Sequence, residues 1–364
     1  MIEAIHGMAG CERKPPSWRK GLRVGLGVSV AAMVLNGVEA VGAAETVVVR
    51  SKARPGTVRM QGEVLEYTGT VLRLRHADGR EEDVDAARVL SVDSDWPAPH
   101  QAADALFDAG KFSEASAAYQ QAIQAEQRPW VRRRLVAQRI WCLRSVGQVE
   151  QSVELFLALC RDDVRTNYFD AIPIAWLSRP GEGVTERQAA AWMARSDSPV
   201  AVLIGASWLL ASPQRAAALQ ALRGFVAHPD ARIAFLADAQ LWRAQQATVK
   251  ADELERWLGR WERMPAELRA GPSYLLGQAL ARLDRPQEAA LMWMRVPIQF
   301  PRERELAAYA LWEAGRQLEK LQDREGARRL YREIVDRHGD AAVVAEARRA
   351  LQASDESQRP QSSE

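Results

Sequence analysis

Apolar and polar residues alternate with a period of two between Thr46 and about Trp96, and this pattern predicts short β-strands. Thr68-Gly69 and Asp78-Gly79 separate the apolar runs and are typical of hairpin turns, because glycine adopts a positive φ at little steric cost. Gly62 falls inside a predicted strand and indicates a bend or bulge there. The expected strands centre on Val47–Val49, Val58–Val64, Leu72–Leu74, Val84 and Leu90–Val92.

Five short strands in so few residues are typical of a small, strongly bent barrel. The strand pattern of residues 45–96 resembles SH3-like and Sm-like folds. The Sm-like resemblance implies RNA binding, but residues 45–96 hold eight basic and ten acidic side chains, which gives no positive groove. A docking or structural module is therefore the favoured interpretation.

The composition changes after a short linker, Trp96–Pro99. From residue 97 to residue 353 the chain is rich in alanine, leucine, arginine and glutamate, which favours helices. Within this part, small residues recur at fixed distances, which indicates internal repeats. The recurring pairs are Gly277 and Gly315, and Ala289 and Ala327, each 38 residues apart, and Gly110 and Gly147, 37 residues apart.

Each copy is predicted to be two helices that cross at small residues, and a large aromatic residue follows the small residue of the second helix. This pattern resembles the tetratricopeptide repeat. The resemblance implies an α-solenoid of stacked hairpins, because one hairpin alone cannot bury its apolar stripe. The copies are marked by Ala115 and Tyr119, Ser152 and Phe156, Ala289 and Trp293, and Ala327 and Tyr331.

Residues 165–265 are predicted to be helical but out of register with these copies, as degenerate hairpins of the same array. Thr185 with Gln188 predicts a capping box. Pro297 is expected to cut its helix short, and residues 341–352 are expected to form the closing helix. Proline fits the first turn of a helix. The helix starts predicted on that basis are Ser198-Pro199, Ser212-Pro213, His228-Pro229 and Met264-Pro265.

The first 44 residues have the order of a secretory signal peptide. Basic residues between positions 13 and 23 precede the uncharged run Val24–Leu35, and small residues follow up to Ala44. We expect cleavage between Ala40 and Glu45, and export to the periplasm or cell envelope. An N-terminal membrane anchor is the alternative, although this run is shorter than the roughly 20 residues of a spanning helix.

The formal net charge of the chain is only +2. Residues 1–44 hold five of the 49 basic and three of the 47 acidic side chains, which leaves 44 of each in the rest. A balanced chain has no strong electrostatic attraction for nucleic acid.

The sequence contains no phosphate-binding loop, zinc-ligand pattern or serine-nucleophile elbow, so we expect no enzyme activity, cofactor or metal. Asp162-Asp163 is the best acidic pair and is interpreted as a loop between repeats. Cys142 and Cys160 are expected about 9 Å apart along one hairpin, beyond disulfide reach, and therefore as free buried thiols.

In tetratricopeptide proteins the first helix of each hairpin lines a concave, peptide-binding groove, and the resemblance implies the same use here. Arg282, Arg316 and Lys320 are expected to hold an acidic or C-terminal carboxylate group. The full set of candidate partner-binding residues is Trp141, Arg144, Tyr274, Gln278, Arg282, Trp312, Arg316 and Lys320.

These features predict a mainly α protein. Its parts are a signal peptide (1–44), a small SH3-like β-barrel (45–96), a tetratricopeptide-type α-solenoid (97–353) and a disordered tail (354–364). The predicted function is a non-catalytic scaffold of the periplasm or cell envelope that binds other proteins or peptides, with a membrane-associated complex as one setting. Two alternatives stay open: an enzyme with its site in the middle helices, and a nucleic-acid adaptor that uses the β module.

Overall fold

The computed structural model of the chain describes residues 45–52, 55–177 and 184–358, without the side chains of 354–358. The predicted signal peptide and residues 359–364 of the predicted tail lie outside the described residues. In the described part the chain is mainly helical and has a small antiparallel sheet near its start, as the hydrophobic pattern predicts. No described helix combines the length and apolarity that crossing a membrane requires.

One antiparallel sheet contains the strands β1 (Glu45–Arg50), β2 (Thr57–Tyr67), β3 (Val71–Arg75), β4 (Glu81–Asp85) and β5 (Val89–Asp93). The strand order is β4-β3-β2-β1-β5, and the long β2 pairs first with β1 and then with β3. Gly62 lies where this pairing changes. A Cβ there would be 2.3 Å from the Arg75 carbonyl oxygen, so the close approach of β3 requires glycine. The irregular register itself falls between Val64 and Glu66.

Fourteen helices follow in the described part, and most of them pack on the helices next to them in sequence. They are α1 (Ala98–Asp108), α2 (Phe112–Ala125), α3 (Pro129–Ser145), α4 (Val149–Asp162), α5 (Glu186–Met193), α6 (Pro199–Leu209), α7 (Arg215–Phe225), α8 (Ala231–Gln245), α9 (Ala251–Arg263), α10 (Ala270–Arg282), α11 (Pro286–Gln299), α12 (Arg304–Lys320), α13 (Arg324–Arg337) and α14 (Val344–Gln358).

The sheet and helices α1–α3 share one apolar core. Val64 and Leu72 of the sheet belong to the same buried cluster as Tyr119 and Trp130 of the helices. Trp130 also donates a hydrogen bond from Nε1 to the Val64 carbonyl oxygen at 3.0 Å. The sheet is therefore attached to the helices by buried contacts as well as by the chain.

Four turns between consecutive helices have the same backbone geometry. Their central residues, Gly110, Gly147, Asp284 and Gln322, have φ values of 73°, 73°, 56° and 63°. After each of them, the next residue donates its N–H to a leucine carbonyl oxygen at 2.9 to 3.0 Å. This is the Schellman arrangement, which satisfies carbonyl groups at a helix end. The bonds run from Lys111 to Leu106, from Gln148 to Leu143, from Arg285 to Leu280 and from Asp323 to Leu318.

These four turns define a common register for four hairpins. Gly277 and Gly315 do not lie in a turn, because each is part of the first helix of its hairpin. A Cβ on Gly277 would come within 2.6 Å of the Trp293 ring, and one on Gly315 within 2.4 Å of the Tyr331 ring. The glycine pair that is 37 residues apart therefore marks the turn, whereas the glycine pair that is 38 residues apart marks the first helix. The equivalent rings, each at most 1% exposed, are Tyr119, Phe156, Trp293 and Tyr331.

Two of the predicted helix starts are confirmed in detail. Ser198 caps α6 and accepts a hydrogen bond from the Ala201 N–H at 3.3 Å. The capping box of Thr185 and Gln188 begins α5. Helices α7 and α8 begin shortly after their Xaa-Pro pairs, at Arg215 and Ala231.

Other expectations about helix ends are wrong. Met264-Pro265 is followed by a 3-10 turn, and α10 begins only at Ala270. Pro297 does not end α11, which continues to Gln299, because a proline in the last turn removes only one intrahelical hydrogen bond. Helix α14 continues to Gln358, so residues 354–358 of the predicted disordered tail are helical.

The largest departure from the prediction lies after α4. Residues 165–177 were expected to be helical, but a single 3-10 turn at Phe169–Ala171 is the one helical feature there, and residues 172–176 have no regular secondary structure. This stretch leads into the candidate functional site.

Candidate functional site: the inner groove

Residues 171–177, the inner segment, begin at the last residue of the 3-10 turn and continue as irregular chain buried among helices α6, α8 and α10. Ile172, Ile174 and Trp176 are only 4%, 4% and 8% exposed. Helix α10 packs directly against the last of these, because a Cβ on Gly271 would lie 1.9 Å from the Trp176 ring. We call the space that these three helices form around the segment the inner groove.

Side chains of α6 and α8 bind the backbone of the inner segment. Trp208 donates from Nε1 to the Pro173 carbonyl oxygen at 3.1 Å. The Ala175 N–H donates to Ser207 Oγ at 3.1 Å, and Gln240 Nε2 donates to the Ala175 carbonyl oxygen at 3.0 Å. These side chains satisfy backbone groups that have no strand or helix partner and would otherwise be buried alone.

Arg243 is a buried cation in the same groove, with 9% of its surface exposed. It donates to the carbonyl oxygens of Ala175 and Leu177 at 2.9 and 3.1 Å. All of its described acceptors are uncharged oxygens. Burial, together with the charge of Arg215, lowers the pKa of Arg243 to about 10, so it remains a cation at neutral pH.

An open cleft of about 530 Å³ borders the inner segment. Arg144 donates to Glu303 Oε2 at 2.7 Å, and its guanidinium carbon lies 4.3 Å from the centre of the Trp141 ring. This ion pair joins the end of α3 to the residue before α12, so early and late helices both contribute to the cleft. Further lining residues are Trp176, Trp208, Arg302, Arg304 and Glu305.

A second, smaller recess of about 360 Å³ lies where Arg243 meets α10. Gln246, Gln278 and Arg282 also line it, and Gln246 donates to the Leu275 carbonyl oxygen at 3.0 Å. The recess therefore has two arginines and two glutamines among its lining residues and no acidic one.

The eight candidate residues do not form one site. Trp141 and Arg144 line the cleft, whereas Gln278 and Arg282 line the recess. Tyr274 is 4% exposed and packs near the Trp293 ring, at 6.4 Å between ring centres.

The last three candidates lie in the C-terminal hairpin. Trp312 is half-buried against Tyr331, at 5.0 Å between ring centres. Arg316 and Lys320 are exposed, and the Arg316 side chain lies 3.6 Å from Glu313. None of the three lines either space.

Sequence reasoning missed the polar residues that bind the inner segment. The signal was present in α8, where Ile233, Leu236, Gln240 and Arg243 follow one another at helical spacing on one buried face. Two polar residues inside an apolar stripe indicate buried hydrogen-bonding partners. The identity of those partners depends on the tertiary fold.

Asp170, next to the inner segment, is a carboxyl group near the cleft whose pKa is raised. Its pKa is raised to about 6, chiefly by burial; Arg302 and Arg144 act to lower it, and Glu303 acts to raise it. Asp170 is not among the residues that line the cleft. The carboxylate that does line it next to Arg144 is Glu303, which is held in an ion pair.

Other reactive groups are isolated. Cys142 is buried and Cys160 is partly buried; both are free thiols, and burial raises the pKa of each to about 12. The described residues contain no group of three or more histidine, cysteine or acidic side chains placed to hold a metal ion. Comparison with models of known protein families gives no match, and neither does comparison with curated proteins.

Proposed function

We propose that the protein is a non-catalytic scaffold of the tetratricopeptide type, whose helical hairpins form a curved array that binds other proteins. The support is the common register of four hairpins. Each has a turn residue with positive φ at the same position, a buried small residue at the helix crossing and a buried ring. Such regular stacking produces an extended surface for partners.

The observation that carries the proposal is the composition of the open cleft. Trp141, Trp176 and Trp208 meet Arg144 and Arg302 there. Tryptophan and arginine are the side chains that contribute most to the binding energy of protein interfaces. Because positive and negative side chains both line the cleft, we propose a partner segment of mixed charge with an apolar centre.

We propose further that the sheet is an SH3-like barrel with a structural role. Its strand order, the long shared β2 and the 3-10 turn at Ala86–Arg88 before β5 support this. Arg73 pairs with Asp83 at 2.8 Å and Arg75 with Glu63 at 3.0 Å, so two of its exposed arginines are paired with acidic side chains. That charge balance favours attachment to the helices over binding of RNA.

We propose the periplasm or cell envelope as the location, on the order of residues in the N-terminal 44. Affinity purification of the tagged chain from the cells that make it tests location and function together. We expect co-purifying envelope proteins and a mature N-terminus between residues 41 and 45. An intact N-terminus with cytoplasmic partners would contradict the proposal.

Two charge reversals locate the partner-binding surface. Arg302→Glu changes an exposed residue of the cleft, and Arg316→Glu changes an exposed residue outside it. We expect Arg302→Glu to remove the co-purifying partners and Arg316→Glu to retain them. The reverse result would place the surface on the C-terminal hairpin. If both variants retain the partners, neither the cleft nor the C-terminal hairpin is the binding surface.

A further inference from the structure

We propose that the inner segment is an internal ligand, and that the inner groove binds a partner's extended segment of the same chemistry once the internal one leaves. That chemistry is an apolar residue, proline, an apolar residue, a small residue and an aromatic ring, as in residues 172–176. This inference rests on the proposed function and specifies the partner.

Recognition in the groove is directed at backbone atoms. The carbonyl oxygens of Pro173, Ala175 and Leu177 all accept hydrogen bonds from helix side chains. The donors lie on α6 and α8, later in the chain than the segment. Because every peptide presents such carbonyl groups, the same donors can bind a segment of another chain.

Side-chain requirements are confined to a few positions. Ala175 is 6% exposed, and both its N–H and its carbonyl oxygen are bound, so a larger side chain there would have to displace the helices around it. Pro173 has no N–H to satisfy, which suits a buried position where Trp208 serves only the carbonyl oxygen. The ring of Trp176 fits against the bare backbone of Gly271.

Arg243 distinguishes the groove from an ordinary apolar core. A buried guanidinium group is costly unless its donors are satisfied, and Arg243 directs two of its nitrogens at carbonyl oxygens of the inner segment. Removal of the segment would leave these donors exposed to water in an apolar channel. The vacated groove should therefore bind another extended segment of chain.

The internal segment also controls access. A tethered ligand competes at an effective concentration on the order of millimolar, so a free peptide of equal intrinsic affinity is largely excluded. The intact chain should then bind such a partner weakly until the inner segment is displaced.

A weakened segment tests the inference. In the variant Ile172→Ser, Ile174→Ser and Trp176→Gly, the apolar anchors are removed while the groove is unchanged. We expect a fluorescent peptide with the sequence of residues 169–177 to bind this variant at least about tenfold more tightly than it binds the wild type, by fluorescence anisotropy. Ile298→Ser, on the exposed face of α11, is the matched control and should bind like the wild type.

Two further variants check where the peptide binds. A peptide with isoleucine in place of Ala175 should bind at least about tenfold less tightly. Adding Gln240→Leu and Arg243→Met to the weakened chain should have the same effect. If a folded weakened chain binds the native and altered peptides equally, or binds neither, the internal-ligand inference is wrong.

The weakened chain can also lose stability, and the test remains decisive in that case. Circular dichroism is then followed as peptide is added, and the native peptide should restore helicity or raise Tm where the altered peptide does not. Absence of any difference between the peptides overturns the inference. Failure to co-purify any partner would contradict the scaffold function separately, whatever the peptide result.

Discussion

Single glycines decide how closely the helices of a hairpin approach. Gly277 lies under the Trp293 ring, whereas Gly224 of α7 has nothing within 4 Å of the position that a Cβ would take. Both are helical glycines without a positive φ, so they differ mainly in the space around them. Substitutions at Gly224 and Gly277 therefore measure helix propensity and side-chain packing separately.

We predict opposite effects of the same substitution at these two positions. Gly224→Ala should raise the free energy of unfolding by about 0.5–1 kcal/mol, because alanine is the better helix former. Gly277→Ala should lower it by about 1–2 kcal/mol, because the new methyl group overlaps a buried ring and the overpacking exceeds the propensity gain. Urea unfolding followed by circular dichroism measures both. A stabilising Gly277→Ala would mean that Trp293 moves freely.

At the residue scale, the sequence predicted much of the packing. The rings at Phe156 and Trp293, and the small residues before them, are buried as the repeat pattern indicates. The surroundings of the candidate partner-binding residues were harder to predict. Tyr274 was expected on an open face but is buried, because projecting one helix face cannot tell which neighbour will cover it.

At the scale of elements, the four equivalent turns contain different residues at a position with positive φ. Gly110 and Gly147 are suited to it, whereas Asp284 and Gln322 are not. The backbone of these two turns is determined by the hydrogen bond that closes the helix end, so their sequence gives little sign of it. This explains why only the first two turns were recognisable as glycine turns.

Replacing the strained turn residue should stabilise the C-terminal hairpin. We predict that Gln322→Gly raises the free energy of unfolding by about 0.5–1 kcal/mol, because a non-glycine residue pays a steric cost in the left-handed region. Asp284→Gly should gain less, since aspartate tolerates that region better. Gly110→Ala is the inverse control and should destabilise by about 1 kcal/mol. Thermal unfolding of the three variants gives the ranking, and a destabilised Gln322→Gly would contradict it.

The inner segment shows where element prediction from sequence fails. Residues 165–177 lie between two helices and were assigned to the helical array, although Pro173 in their middle is a strong helix breaker. Their irregular form depends on Trp208, Gln240 and Arg243, which come from helices later in the chain. Such long-range hydrogen bonds leave no local periodicity in the segment itself.

At the scale of the whole molecule, the sheet and the first helices form one unit. The Trp130 indole N–H reaches the buried Val64 carbonyl oxygen, and the Gly69 N–H donates to Asp163 at 2.8 Å. The second bond fixes the chain just before the inner segment. The sheet therefore helps to hold the segment in its groove.

Loss of the indole hydrogen bond should affect sheet and helices together. We predict that Trp130→Phe lowers the free energy of unfolding by about 2–3 kcal/mol, because it leaves a buried carbonyl group unpaired and removes part of a buried ring. Unfolding of the sheet and unfolding of helices α1–α3, followed separately by hydrogen exchange of their backbone amides, should still coincide. Separate transitions would show that the sheet is an independent domain.

Asp170 connects distant parts of the chain electrostatically. Burial raises its pKa from 3.8 to about 6, and the charged groups around it, Arg302, Glu303, Arg144 and Glu267, come from three other regions. Between these two pH values the folded state retains a proton that the unfolded state releases. The ionised carboxylate therefore costs stability, and that cost grows as the pH rises through this window.

Removing this charge should consequently stabilise the protein at neutral pH but not in acid. We predict that Asp170→Asn raises the free energy of unfolding at pH 7.5 by up to about 3 kcal/mol, which corresponds to a pKa difference of about two units. At pH 4 the gain should largely vanish, since the folded wild type is then already protonated. Asp336→Asn, at an exposed position of α13, should show no such pH dependence. Urea unfolding of both variants at the two pH values decides the question, and an equal gain for Asp170→Asn at both would mean that the gain does not come from removing the buried charge.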